Sequence, residues 1–247
     1  RVYRNALEIA KRMGASITLF NAVQFPYIGK GTIGDLKKTL HDLIDANRKK
    51  LSNLVKENTP KAFSDIKIDV KVEADYPIDS ILETARSLPA DLIIMGMRNR
   101  SKWDLFWFGS IANDILANAD RPVLAIPPEY DFKPFTNMAC LIHYGFSDMK
   151  NLELWEEWVT RWDATFHCIL IAENALDRLK MDAKQEKIRY LFYEVPAAQV
   201  NIIEMGEDLG NALSNYIDQH KIKLIGMEHH DKTIKKPKMP DNEFLDM

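Results

Sequence analysis

Asp91-Leu-Ile-Ile-Met-Gly-Met-Arg-Asn-Arg100, with Gly109-Ser110 following nine residues beyond Asn99, is the stretch whose reading decides the fold. Its apolar run, Leu92 to Met95, predicts a strand buried on both faces, as in a parallel sheet. Gly96 ends that run at the carboxyl edge, where open α/β sheets place their ligands. Gly109-Ser110 then opens an apolar segment, Ile111 to Ala119, that reads as a helix with its amino terminus at the same edge. Free backbone amides and the positive end of the helix dipole make such an edge a candidate anion site. Pro122-Val-Leu-Ala-Ile126 follows as the next strand. The unit is strand, glycine-punctuated loop, helix, strand.

Upstream of this unit the pattern alternates in the same way. A helix over Arg1 to Met13, closed by Gly14, leads to a strand at Ser16 to Val23, a helix from about Gly34 to Glu57 and a strand at Ile66 to Ala74. A short helix, Ile78 to Leu88, precedes the strand at Asp91. Strands alternating with helices predict parallel βαβ units. Pro127-Pro-Glu-Tyr-Asp-Phe-Lys-Pro134 reads as a stiff connector. Beyond it the order restarts: strand Met138 to Tyr144, helix Asn151 to Trp162, strand Thr165 to Ala172, helix Leu176 to about Glu194, strand Val200 to Met205, helix Leu209 to Gln219 and strand Ile222 to Gly226. Gly226 closes its strand as Gly96 does, which points to internal duplication. No closing apolar strand follows Gly226, so the second copy is expected to be degenerate or incomplete at its end.

The 247 residues carry a formal net charge of −3, which gives no hint of nucleic-acid binding. No apolar stretch approaches the ~20 residues of a membrane-spanning helix. Cys140 and Cys168 fall within predicted strands at no metal-ligand spacing, so they read as reduced core thiols of a cytoplasmic protein.

Gly96, Asn99, Gly109 and Ser110 carry a resemblance. Their spacing resembles the nucleotide loop of the universal stress proteins, whose pattern is Gly, two residues, Gly, nine residues, Gly and then Ser or Thr. Asn99 stands where that pattern has its second glycine. Ala90-Asp-Leu-Ile before the loop and Ala119-Asp-Arg-Pro-Val-Leu-Ala-Ile-Pro127 after it are similar too. The resemblance implies two α/β domains, residues 1–130 and 136–247, each a doubly wound, Rossmann-like parallel sheet with strand order 3-2-1-4-5. Family members begin with a central strand, so residues upstream of Arg1 are expected to supply it. The two domains are expected to pack as a pseudo-dimer, through strands such as Val123 to Ile126, and the chain to form a homodimer or bind another protein.

The resemblance assigns ATP or AMP to the first domain, with Mg²⁺ only alongside ATP, and names Gly96, Arg98, Asn99, Gly109 and Ser110 as the binding residues. Small residues let backbone amides approach phosphate oxygens, and arginines add charge. A plain strand-to-helix connection capped by Ser110 explains the same residues without a ligand. In the second domain Gly145 falls where binding members have an adenine-contacting Asp, and His229 where the second loop glycine should be, so that site is expected not to function.

Other constellations are weaker. Gly29-Lys30-Gly31-Thr32 lacks the first glycine and the hydroxyl of a phosphate loop. His229, His230 and Asp231 lack a third ligand at helical spacing. Trp155, Trp158 and Trp162 share a helix face with Val159 and read as core. Trp103, Leu105, Phe106, Trp107 and Phe108 lie in the loop before Gly109, either roofing the core or forming an apolar patch. No nucleophile with a base and no carboxylate pair emerges. The resemblance therefore implies a non-enzymatic sensor or regulatory module. A nucleotide hydrolase of low turnover and a structural dimerisation module without nucleotide are the competing readings.

Overall fold

The computed structural model describes residues 1–24, 33–88, 90–97, 110–143, 152–172, 178–181, 185, 189–190, 193, 198–204 and 209–227. The first half runs α1 (Val2–Met13), β1 (Ile17–Val23), α2 (Ile33–Asn58), β2 (Ile68–Ala74), α3 (Pro77–Ser87), β3 (Ile93–Gly96), α4 (Ser110–Asn118) and β4 (Val123–Ile126). The second half runs β5 (Asn137–His143), α5 (Leu152–Trp162), β6 (Thr165–Ala172), β7 (Gln199–Glu204), α6 (Leu209–Gln219) and β8 (Leu224–Met227). Helices and strands alternate and every strand pair is parallel, so the fold is α/β as the periodicities predict. A short 3-10 turn at Lys61–Phe63 buries Phe63 and had no signal in the periodicity.

The second half forms one four-stranded sheet in the order β7-β6-β5-β8, with its third, second, first and fourth strands side by side. β6 and β5 are the inner strands, and β6 is buried along nearly its whole length because helices cover both faces. In the first half β1 pairs with β2 and β3 with β4. Among the described residues no strand lies between the two pairs, so hydrogen bonding sets no order for the first half as a whole.

Helix ends repeat between the halves. α1 closes at Gly14 with φ 66°, and the Ala15 amide donates to the Ala10 carbonyl at 2.9 Å. α5 closes at Asp163 with φ 51°, and the Ala164 amide donates to Val159 at 3.0 Å. Both are Schellman-type ends, a six-residue back-bond over one left-handed residue. A strand begins within three residues of the left-handed residue in each case.

α1 and α5 meet across the halves. Arg12 Nε donates to the Arg161 carbonyl at 2.7 Å, and Arg161 Nη1 donates to the Met13 carbonyl at 3.3 Å. These are cations on helix C-terminal carbonyls, where the helix dipole favours them. Ile9 joins a core that also contains Phe135, Met138, Val159, Trp162, Phe166 and Leu170, so one apolar cluster spans both halves. Leu124 of β4 also packs on it, but the side-chain hydrogen bonds between helices of the two halves run from α1 to α5.

The connector is more than a spacer. Phe135 is 3% exposed, with its ring 4.7 Å from Trp162 and 5.7 Å from Phe132. Tyr130 and Phe132 pack on the same cluster. Prolines punctuate the segment while its aromatic residues plug the core. Trp162 and Val159 are buried and Trp155 and Trp158 partly so, as their helical spacing predicts. Cys140 and Cys168 face each other across β5 and β6 as buried thiols, not joined in a disulfide. Burial pushes the Cys168 thiol up to about 12, which keeps it protonated and unreactive.

Candidate functional site

β3 and β4 run parallel in the register Ile93↔Val123 to Gly96↔Ile126, and the Met97 amide continues the ladder to the Ile126 carbonyl at 2.9 Å. α4 connects them. To return to the start of β4, α4 must run antiparallel to β3, so its first residue, Ser110, lies at the carboxyl edge where Gly96 ends the strand. Ala112 and Ile115 of α4 are buried, which anchors the helix on the core. The unit predicted around Asp91 is therefore present, with its strand end and helix start at one edge.

Gly96 has a packing role of its own. A Cβ there would stand 3.0 Å from Val2 Cγ2, so the absent side chain lets α1 lie close to β3. Arg98, Asn99, Arg100 and Gly109 lie outside the described residues, as do Lys102 and the Trp103 to Phe108 aromatics. Gly29 to Thr32, Gly145 to Asp148 and His229 to Asp231 also lie outside them.

The second half has the corresponding glycine, and a helix side chain packs on it as well. A Cβ on Gly226 would collide with the Trp155 indole, which lies against the glycine backbone. Trp155 had been legible only as a core residue on a tryptophan stripe. That its ring needs a glycine opposite emerges only when α5 lies on β8.

Two polar clusters escaped the sequence reading. On β2 and α3, Glu73 Oε1 pairs with Lys71 Nζ at 2.7 Å, and its Oε2 accepts from Ser80 Oγ at 3.1 Å and Thr84 Oγ1 at 3.2 Å. The Lys71 hydrogen bond, with help from both hydroxyls, holds the Glu73 carboxyl below its ordinary range against the opposing effect of burial. Ser80 and Thr84 are spaced i, i+4, a signal visible in principle, but nothing in the sequence said that β2 would present Glu73 to them. The other cluster joins His167, Asn201, Tyr216 and His220 in the second half. Among the described residues no three His, Cys, Asp or Glu side chains gather as metal ligands would. Among them, too, no helix is long and apolar enough to cross a membrane.

Comparison with known proteins identifies the family and the fold. The model of the universal stress protein family matches residues 1–127. Universal stress protein MJ0531 of Methanocaldococcus jannaschii is 26% identical over 133 residues, covering 50% of this chain and 71% of that protein. Stress response protein NhaX of Bacillus subtilis is 36% identical over 69 residues, 28% of this chain and 39% of its own length. The crystal structure of a universal stress protein from Archaeoglobus fulgidus superposes with a TM-score of 0.64 at 18% identity, covering 92% of this chain and 81% of that one. That last likeness is one of fold.

Proposed function

The chain belongs to the universal stress protein family, whose model spans residues 1–127, and from that premise we propose a non-enzymatic regulatory module of the stress response whose first half holds an adenine nucleotide. The observation that carries this reading is the edge where Gly96 ends β3 and Ser110 begins α4. Backbone amides at a helix start suit a phosphate, and the loop between them supplies Arg98 and Arg100. ATP or AMP is the ligand, with Mg²⁺ accompanying ATP alone. Gly96, Arg98, Asn99, Gly109 and Ser110 are the binding residues.

The second half, residues 136–247, acts as an interaction partner for residues 1–130 and binds no nucleotide itself. Gly145 and His229, which stand where binding members have an Asp and a loop glycine, support its lack of a ligand, and the matching ends of α1 and α5 support the tandem pairing. Buried thiols without a disulfide suit the cytoplasm. Homodimerisation and an unidentified protein partner belong to the same reading.

The test titrates ATP and AMP into the full chain while phosphate release is followed in the same samples. Saturable binding with no release above background is expected. Slow release would favour a hydrolase instead, and the absence of both would leave a structural module.

A further inference from the structure

His167 is a histidine in β6, the most buried strand among the described residues, 1% exposed, and the nucleotide edge makes no use of it. Its Nδ1 lies 2.9 Å from the Tyr216 hydroxyl, and Asn201 Nδ2 donates to the same oxygen at 2.7 Å. With the amide donating to it, the phenol passes its own proton on to Nδ1. The network thus assigns a neutral imidazole with its proton on Nε2. Nε2 is buried and has no hydrogen-bond partner among the described residues. The His220 ring, one turn beyond Tyr216, lies 4.9 Å from the His167 ring and 4.2 Å from that of Tyr216.

We propose that this cluster is an acid-sensitive latch: the neutral His167 ring lets α6 lie on the sheet, and protonating that ring loosens α6. A charged imidazole donates from both nitrogens. Nδ1–H would then meet the phenol oxygen that Asn201 already uses, forcing the phenol proton elsewhere. Nε2–H would carry charge into a buried space beside a second imidazole. α6 faces the ring with Tyr216 and His220, β7 with Asn201 and the register neighbour Gln199, and β5 with Ala139. None of these is a carboxylate that could neutralise the charge.

Burial first, and the His220 charge second, lower the His167 pKa from 6.5 to about 4. A histidine with a depressed folded-state pKa binds fewer protons folded than unfolded. Its stabilisation is therefore complete above about pH 6.5 and is lost as pH falls towards about 4. One proton taken up on opening makes the open state up to about tenfold more populated per pH unit within that window. The latch adds acid as a trigger and does not depend on nucleotide binding.

Hydrogen exchange of the full chain at pH 7 and pH 5, corrected for intrinsic rates, tests it. Exchange of α6 amides relative to α5 amides should rise at least several-fold at pH 5, and in His167→Gln the ratio should no longer change with pH. A ratio that stays constant in the parent, or shifts equally in parent and variant, overturns the latch. Should the variant not fold, nitrogen chemical shifts of His167 in the parent decide. A ring neutral to below pH 5.5 that protonates as α6 opens supports it, and one that protonates near pH 6.5 with α6 still protected refutes it.

Discussion

Gly96 and Gly226 show how one residue type answers two demands. Neither has a positive φ, so backbone conformation does not explain them; close approach of a helix side chain does. At Gly96 the neighbour is the tip of Val2, which can shift by tenths of an ångström; at Gly226 it is the rigid indole of Trp155. Gly96→Ala should therefore cost less than about 1 kcal/mol, while Gly226→Ala should cost about 1–3 kcal/mol through overpacking. Urea unfolding of both variants checks the ranking, and equal losses would contradict it. A glycine at the end of an apolar strand was legible from sequence, but its packing partner was not, because Val2 and Trp155 come from remote helices. The same holds for His167: only the sheet order brought Tyr216 and Asn201 to it.

Helix termini make the argument at the scale of elements. Asp163 adopts the left-handed conformation that Gly14 adopts at the end of α1, at a steric cost glycine avoids. Asp163→Gly should stabilise the protein by about 0.5–1 kcal/mol, since glycine is the preferred residue at such a cap. A rise in the urea midpoint without a change of slope is the expected result. Arg161 lies on the neighbouring turn and bonds across to Met13 and along its helix to Glu157. Because these bonds are exposed, Arg161→Ala should lower stability by only about 1 kcal/mol. Element positions followed from periodicity, and most strands and helices start within two residues of expectation. The aromatic plug at Tyr130, Phe132 and Phe135 was missed because its prolines signal a connector, while burial there depends on α5 arriving from the other half.

At the scale of the whole molecule, one apolar cluster takes Ile9 from the first half, Phe135 from the connector and β5, β6 and α5 from the second. Phe135→Ala should remove about 3–5 kcal/mol, the usual loss for a buried phenylalanine. Since the cluster is shared, circular dichroism and tryptophan fluorescence should report one coincident transition in the parent and in the variant; separate transitions would show that the halves unfold independently. The edge around Gly96 was legible because strand, glycine and helix follow one another in sequence.

The central claim is that this edge holds an adenine nucleotide, and calorimetric titration of ATP and AMP into the parent, Gly109→Val and Asn99→Gly tests it most directly. Binding to the parent is predicted, with Gly109→Val abolishing it by steric exclusion while the fold survives. Asn99→Gly, which restores the family loop and removes side-chain volume, should tighten it. No heat of binding in either the parent or Asn99→Gly would contradict the claim.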